Sequence, residues 1–216
     1  ILASLGSGHI LAGEQATLQD TNDHVLANIQ KDGTFSVVPQ MKKHEASPEQ
    51  LRKIADVADK YSIPMIKATG GQRIDLLGVK KEDLIGVWQD LGMPCGHAYA
   101  KALRTVKTCV GSEFCRFGTQ DSTGLGIRLE KLLWGSWTPA KVKLAVSGCP
   151  RNCAEATCKD VGIVCVDSGY EIGVGGAAGM DVKETQRLLK AGTEAEAIEI
   201  TVAFVQLYRE HAKYLD

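Results

Sequence analysis

Two short stretches of sequence decide how this chain folds: TCVGSEFCRFG at residues 108–118 and SGCPRNCAEA at residues 147–156. Cys109 and Cys115 have five residues between them, and Cys149 and Cys153 have three. Each pair lies where an irregular turn meets the start of a helix, which aims sulfur atoms and backbone N–H groups at one point. Because N–H groups that donate to sulfur stabilise a thiolate-bound cluster, the pattern favours a shared iron–sulfur centre.

The spacing alone leaves other interpretations of these cysteines open. Structural zinc favours cysteines about two to four residues apart, which fits the second pair and not the first. Ferredoxin-type carriers use a C-x2-C-x2-C run, which this sequence lacks. The four residues could also be buried structural thiols, an interpretation that suits Cys95, Cys158 and Cys165 because they show no paired spacing.

The first half of the chain predicts a compact β-α-β-β-α unit. A short strand is expected over residues 34–38, and a helix opens at Ser47, with Pro48 at its first position and Gln50 completing a capping box. Strands are expected over residues 64–68 and 74–79. An amphipathic helix is expected over residues 81–91, with four side chains directed inward: Leu84, Ile85, Val87 and Trp88.

The segment GMPCG at residues 92–96 predicts a boundary between two units. After it we expect a helix over residues 125–133, an alternating strand over 141–147, a hairpin of strands over 161–166 and 170–174, and helices over 182–191 and 194–214. Residues 1–30 are interpreted as a connector. The sequence thus predicts an α+β chain with units at residues 31–92 and 93–216.

Composition excludes several classes of protein. The formal net charge is −1, so no basic excess points to nucleic acid. No apolar run approaches the ~20 residues of a membrane span, and no basic start leads into an apolar core as in a signal peptide. We therefore expect a cytoplasmic protein. Because the chain begins at Ile1, we also expect it to be a piece of a longer protein.

The sequence resembles the family of sirohaem-containing nitrite and sulfite reductases. The resemblance is carried by the C-x5-C and C-x3-C pairs and by longer words: LQDTNDHVLANIQKDGT at 18–34, TGGQRIDLLG at 69–78, GHAYAKALRTVKTCVGSEFCRFGTQDSTGLGIRLE at 96–130 and LYREHAKYL at 207–215. These words are most similar to the C-terminal part of the large subunits of NAD(P)H-dependent assimilatory nitrite reductases. In that family a small ferredoxin-like half-domain precedes a sirohaem and 4Fe–4S domain, the same order as the two predicted units.

The resemblance implies a sirohaem and a 4Fe–4S cluster that together reduce nitrite to ammonia. It implies that Cys109, Cys115, Cys149 and Cys153 hold the cluster and that Cys153 bridges to the sirohaem iron. FAD and a 2Fe–2S centre belong to flavin and nicotinamide domains that would precede this region. In larger members two such repeats enclose one sirohaem, so a homodimer is a possible partner arrangement.

The resemblance also implies a set of cations for the anionic substrate and the carboxylated macrocycle. Arg104 matches an active-site arginine of the family, against a solvated helix arginine as the alternative. Lys141 and Lys143 match a substrate-binding Lys-x-Lys, against the charged face of an edge strand. Arg116, beside Cys115, could pair with a carboxylate of the ring or face solvent.

The stretch Thr69-Gly70-Gly71-Gln72 departs from the family's sulfite reductases, which have Thr-Thr-Arg-Gln or a close variant. Gly71 takes the arginine position, and Arg73, two residues on, could reach the same space. Thr69 and Gln72 are interpreted as neighbours of the sirohaem. The late glycines Gly175-Gly176 and Gly179 are interpreted as allowing close approach to the macrocycle.

Two further functions stay open at this point. One is a small sulfite reductase with the same cofactors and a different anion. The other, of a different class, is a zinc- or cluster-stabilised binding module without catalysis.

Overall fold

The structure is a computed structural model that describes residues 23–41, 46–96 and 101–213. The chain divides into two compact units, Ile1–Lys101 and Ala102–Asp216. Both units combine helices with a five-stranded sheet, so the predicted α+β class is confirmed. Much of the predicted connector, residues 1–22, lies outside the described residues, whereas residues 23–29 form a hairpin in the first sheet.

The first unit is an antiparallel sheet with two helices. Its strands are β1 (Asp23–His24), β2 (Ala27–Ile29), β3 (Phe35–Val37), β4 (Met65–Ala68) and β5 (Ile74–Val79), in the spatial order β1-β2-β3-β5-β4. Its helices are α1 (Pro48–Lys60) and α2 (Leu84–Leu91), the latter entered through a 3₁₀ turn at Lys81–Asp83. The predicted β-α-β-β-α unit is present, and it is preceded by β1 and β2, which lie in the segment expected to be a connector.

Local sequence explains where α1 begins. Ser47 accepts a hydrogen bond from the backbone N–H of Gln50, and the Gln50 side chain returns to the Ser47 N–H, so the predicted capping box is confirmed. The core of this unit joins both helices to the sheet and includes Val37, Ile54, Leu76, Leu84, Val87 and Leu91. The prediction was wrong for Ile85, which is 61% exposed because Leu91 completes the apolar stripe in its place.

The second unit has a mixed sheet with helices packed on it. Its strands are β6 (Lys107–Thr108), β7 (Leu144–Ser147), β8 (Val161–Val166), β9 (Gly169–Val174), β10 (Ala177–Ala178), β11 (Val182–Lys183) and β12 (Gln186–Ala191). The large sheet has the order β12-β9-β8-β7-β6, and β10 and β11 form a separate two-stranded sheet. The helices are the short α3 (Gly111–Phe114), α4 (Ser122–Leu133) and α5 (Glu194–His211), with a 3₁₀ turn at Ala156–Cys158.

Most elements of the second unit match the prediction, and two do not. The helix expected over 182–191 is wrong: Gln186–Ala191 is an edge strand paired with β9, since backbone pairing with Tyr170–Val174 outweighs the helix propensity of Gln, Arg, Leu and Lys. The strand expected over 141–147 begins only at Leu144, and all four residues of β7 are buried because parallel neighbours and helices cover both of its faces.

Candidate iron–sulfur site

Parallel pairing brings the two cysteine loops to one edge of the second sheet. β6 runs parallel to β7, with Thr108 opposite Val146. Cys109 directly follows β6, and Cys149 follows β7 after Gly148. Because the carboxyl ends of parallel strands meet at the same sheet edge, both loops start side by side.

The backbones of the two loops touch. The Gly148 N–H donates to Cys109 Sγ at 3.1 Å, and the Thr119 N–H donates to the Gly148 carbonyl at 2.7 Å. A Cβ placed on Gly148 would lie 2.7 Å from Gly111 Cα, 3.0 Å from Ser122 Oγ and 3.3 Å from Cys109 Sγ. Only glycine fits at this contact, so the sequence SGC is needed for the loops to converge.

The surroundings of Cys109 favour the thiolate form of its side chain. Burial raises its pKa, but hydrogen bonding from Ser122 and from the backbone N–H groups of Gly148 and Gly111 outweighs burial, so the pKa lies below the usual value. Ser122 Oγ lies 2.9 Å from the Cys109 carbonyl and 3.4 Å from Cys109 Sγ, so its single hydroxyl proton serves one of these two acceptors at a time. These are the N–H and O–H donors that thiolate clusters use.

Phe117 joins the two loops from outside. The guanidinium carbon of Arg151, from the second loop, lies 3.8 Å from the centre of the Phe117 ring, and that of Arg116 lies 4.5 Å from it. Both arginines are exposed, so each keeps a free edge of its guanidinium toward solvent. The stacking was not predicted, because residues 117 and 151 are far apart in sequence and carry no motif.

Asn152 shapes the turn between the second pair of cysteines. It has a positive φ of 57°, its Oδ1 accepts from Ser147 Oγ at 3.1 Å, and its Nδ2 donates to Thr157 Oγ1 at 2.7 Å. Ser147 Oγ in turn accepts from the Ala154 N–H. Asn tolerates this backbone region and offers both a donor and an acceptor, so Asn152 shapes the turn.

The structure brings the loops together but not all four sulfur atoms. In the part of the chain that it describes, no group of three or more His, Cys, Asp or Glu side chains is placed to hold a metal ion. Cys149 is buried, Cys109 and Cys115 are half-buried, and Cys153 is exposed. The donor set nevertheless fits a cluster, because four free thiols lie on two touching loops and one has a lowered pKa.

The remaining cysteines behave differently from one another. Cys165 is the buried thiol that the sequence predicted, and burial raises its pKa to about 12. The same prediction was wrong for Cys95 and Cys158, which are only half-buried. Their thiols donate to backbone carbonyls of Leu26 and Glu155 at 3.5 and 3.3 Å.

Arg104 lies in an extended segment before β6 and is only 6% exposed. The alternative of a solvated helix arginine is therefore wrong. Its backbone N–H donates to the Val142 carbonyl at 2.9 Å, and two residues on the Val106 N–H donates to Glu130 Oε2 at 3.1 Å. The buried Glu130 carboxylate thus holds the segment that carries Arg104.

Lys141 and Lys143 precede the amino end of β7, whereas Cys149 follows its carboxyl end. Six residues of extended chain span up to about 20 Å, so the lysines and Cys149 leave opposite ends of the same strand. Both lysines are exposed, and the Lys143 N–H donates to Asp160 Oδ2 at 2.7 Å. Burial raises the pKa of Asp160.

Thr69, Gln72 and Arg73 belong to the turn between β4 and β5 in the first unit. The Thr69 N–H donates to the Arg73 carbonyl at 2.8 Å, and Gln72 has a positive φ of 58°. A Cβ on Gly71 would lie 3.0 Å from Arg73 Nη2 and 3.2 Å from its Cζ. The Arg73 guanidinium therefore occupies the space that a side chain at position 71 would fill.

Comparison with known proteins shows which family has this combination of domains. Residues 99–215 match the nitrite and sulphite reductase 4Fe-4S domain, and residues 28–94 match the nitrite/sulfite reductase ferredoxin-like half domain. The chain belongs to the nitrite and sulfite reductase family. The predicted fold, a ferredoxin-like half-domain followed by an iron–sulfur domain, is confirmed.

Within this family the chain is similar to proteins of several organisms. It is 58% identical to an NAD(P)H nitrite reductase of Bacillus subtilis (strain 168) over 94% of the chain and 25% of that protein. It is 46% identical to the nitrite reductase (NADH) large subunit of Escherichia coli (strain K12), over 92% and 24%. The chain thus spans about a quarter of the length of these relatives, matching the predicted C-terminal part.

A shorter relative and one solved structure complete the comparison. The assimilatory-type sulfite reductase of Nitratidesulfovibrio vulgaris is 36% identical over 86% of both chains. The crystal structure of dissimilatory sulfite reductase I has the same fold, with a TM-score of 0.70, 15% identity, and coverage of 83% of this chain and 64% of that one.

Other features of this family member were invisible to sequence reasoning. Lys107 Nζ and Lys159 Nζ both contact the Glu155 carboxylate, at 3.0 and 2.9 Å. Only the Glu155–Lys159 spacing of four residues hinted at a pair.

Gly176 was predicted to allow close approach of the macrocycle. A Cβ at this position would lie 2.6 Å from the Lys159 carbonyl, so close packing within the chain already requires glycine there. Among the described helices, none has the length and apolarity of a membrane span.

Proposed function

We propose that this chain is the catalytic part of an assimilatory nitrite reductase, which reduces nitrite to ammonia at a sirohaem beside a 4Fe–4S cluster. One observation carries the proposal: the loops of Cys109 and Cys149 leave the same sheet edge and touch through Gly148. Relatives that are 58% and 46% identical to this chain are named nitrite reductases, which favours nitrite as the anion.

The proposed cluster ligands are Cys109, Cys115, Cys149 and Cys153. Cys153 is the exposed member of the set and is proposed to face the sirohaem iron. When bound, the coupled cofactors would supply electrons one at a time to the substrate. The chain's own contribution is to hold the thiolates on rigid turns, with Ser122 and backbone N–H groups stabilising their negative charge.

Nitrite and the ring carboxylates are anions, so cationic side chains complete the proposed site. Arg116 and Arg151 lie against the cysteine loops, where they can pair with ring carboxylates. Arg104, Lys141 and Lys143 are proposed to bind the substrate as one group at the end of β7 opposite Cys149, because the Arg104 N–H donates to the carbonyl of Val142, which lies between the two lysines. In the first unit, Arg73 is proposed to supply the positive charge that Gly71 lacks, with Thr69 and Gln72 as sirohaem neighbours.

The full-length protein is proposed to be larger. FAD, a 2Fe–2S centre and an NAD(P)H site would lie in domains outside this chain and deliver its electrons. A homodimer is proposed as the assembly that completes the macrocycle pocket.

Anaerobic reconstitution with sirohaem, iron and sulfide tests the proposal. The product should show a haem-like spectrum and oxidise a reduced viologen dye with nitrite, forming ammonia. A reconstituted protein that binds only zinc, or that binds the cofactors and reduces no anion, would refute the catalytic assignment. Sulfite reduction is the second candidate, since the sulfite reductase that matches 86% of this chain has a comparable length. A higher kcat/KM for sulfite than for nitrite would establish it.

A further inference from the structure

A compact ion network lies beside the cysteine loops in the sequence: Lys107 is two residues before Cys109, and Glu155 is two residues after Cys153. Glu155 Oε1 is 3.0 Å from Lys107 Nζ, and Glu155 Oε2 is 2.9 Å from Lys159 Nζ. The lysine side chains are only 17% and 12% exposed, although the carboxylate is 56% exposed. Two shielded cations thus share one carboxylate, which leaves a net charge of about +1.

The network and Cys109 flank the same small group of alanines. Lys107 pairs with Ala145 across the sheet. Ala145 forms a buried cluster with Ala154 and Ala156, and Cys109 packs against that cluster. Glu155 lies between Ala154 and Ala156 in the sequence. The residue that binds both lysines is therefore flanked by two alanines of the cluster that packs against Cys109.

Glu155 is also held in an unusual backbone conformation. Its φ is +58°, a region that a non-glycine residue adopts only when its surroundings impose it. The Glu155 N–H donates to the Asn152 carbonyl at 2.8 Å, closing the turn that contains Cys153. The turn therefore aims a charged side chain, two residues after Cys153, directly at both lysines.

We propose that the Lys107–Glu155–Lys159 network sets the reduction potential of the iron–sulfur cluster. The proposal rests on the proposed function, because it needs a cluster on Cys109 and Cys153. Reduction adds negative charge to a cluster, so nearby cations favour the reduced form and raise its potential, and a nearby carboxylate lowers it. Since the ammonium groups are mostly shielded from solvent, salt screens them less than surface charges.

The test is a redox titration of the reconstituted full chain, followed by the EPR signal of the reduced cluster. Lys107→Met and Lys159→Met should each shift the midpoint potential to more negative values, whereas Glu155→Gln should shift it to more positive values. Lys183→Met is the matched control, since that lysine is 62% exposed and pairs only with exposed Asp181 among the contacts described; it should give no shift.

The opposite signs of the shifts in midpoint potential distinguish an effect of charge from an effect of a loosened turn. If the network merely held the turn, all three substitutions would loosen the thiolates and change the cluster in the same direction. Shifts of one sign, no shift, or loss of the cluster in both lysine variants would overturn the proposal. Wild-type chain that assembles no cluster at all would instead refute the proposed function.

Discussion

Gly148→Ala is the substitution that most directly perturbs the contact between the two cysteine loops. The added Cβ would lie 2.7 Å from Gly111 Cα, a backbone atom that cannot rotate away, and 3.3 Å from Cys109 Sγ. Heavy atoms at 2.7 Å must separate by several tenths of an ångström. The loops would therefore be pushed apart at the point where the Gly148 N–H meets the Cys109 sulfur.

Overpacking of this kind costs roughly 1–3 kcal/mol in the free energy of unfolding. The matched control is Gly179→Ala in the same unit, because nothing lies within 4 Å of the Cβ it would add. An exposed change of that kind should stay within about 0.5 kcal/mol of the wild type. Urea unfolding of the cofactor-free chain measures both values.

Gly148→Ala should also lower the amount of iron bound per chain after reconstitution, because the loops that carry Cys109 and Cys149 would be pushed apart. Gly179→Ala should bind as much iron as the wild type. The reasoning is refuted if both variants unfold at the same urea concentration and bind equal iron, because the glycine contact would then not hold the loops together.

Three other substitutions test separate parts of the structure. Asn152→Ala should lower the free energy of unfolding by about 1–3 kcal/mol in urea titrations, because buried Ser147 and half-buried Thr157 would each lose a hydrogen-bond partner. An unchanged free energy of unfolding would contradict the role given to this turn. Burial raises the pKa of the Asp75 carboxyl above 3.8, although a hydrogen bond from Ser36 opposes this rise. The protonated carboxyl therefore contributes to stability fully below pH 3.8, and this contribution is lost as pH rises through the raised pKa. Asp75→Asn should remove that decline, and an unchanged pH dependence of urea unfolding would refute it. Gly71→Leu should displace the Arg73 guanidinium and lower kcat/KM for nitrite as Arg73→Ala does; full activity in both variants would remove Arg73 from the site.

Sequence was sufficient wherever local chemistry decides the structure. The capping box at Ser47 and the hairpin turned at residues 167–169 were predicted because caps and turns depend on neighbouring residues. Those local patterns were also enough for the α+β class, and the family resemblance then supplied the ferredoxin-like half-domain and the iron–sulfur domain.

Sequence failed where distant contacts decide. Gln186–Ala191 has the composition of a helix and becomes a strand because β9 offers it backbone partners. The Phe117–Arg151 stacking and the Lys107–Glu155 ion pair join residues from separate elements, and no spacing rule relates them. The positions of Lys141 and Lys143 depended on where β7 begins, three residues later than the alternation indicated.

Cluster content in single cysteine variants is the measurement that tests the central claim, one iron–sulfur centre shared by Cys109, Cys115, Cys149 and Cys153. Iron and acid-labile sulfide should each reach about four per reconstituted chain. They should fall in the Cys→Ser variant of each of these four residues and stay unchanged in Cys95→Ser and Cys158→Ser. Full cluster content in any of the four variants, or equal losses in the two controls, would contradict a shared centre at these cysteines.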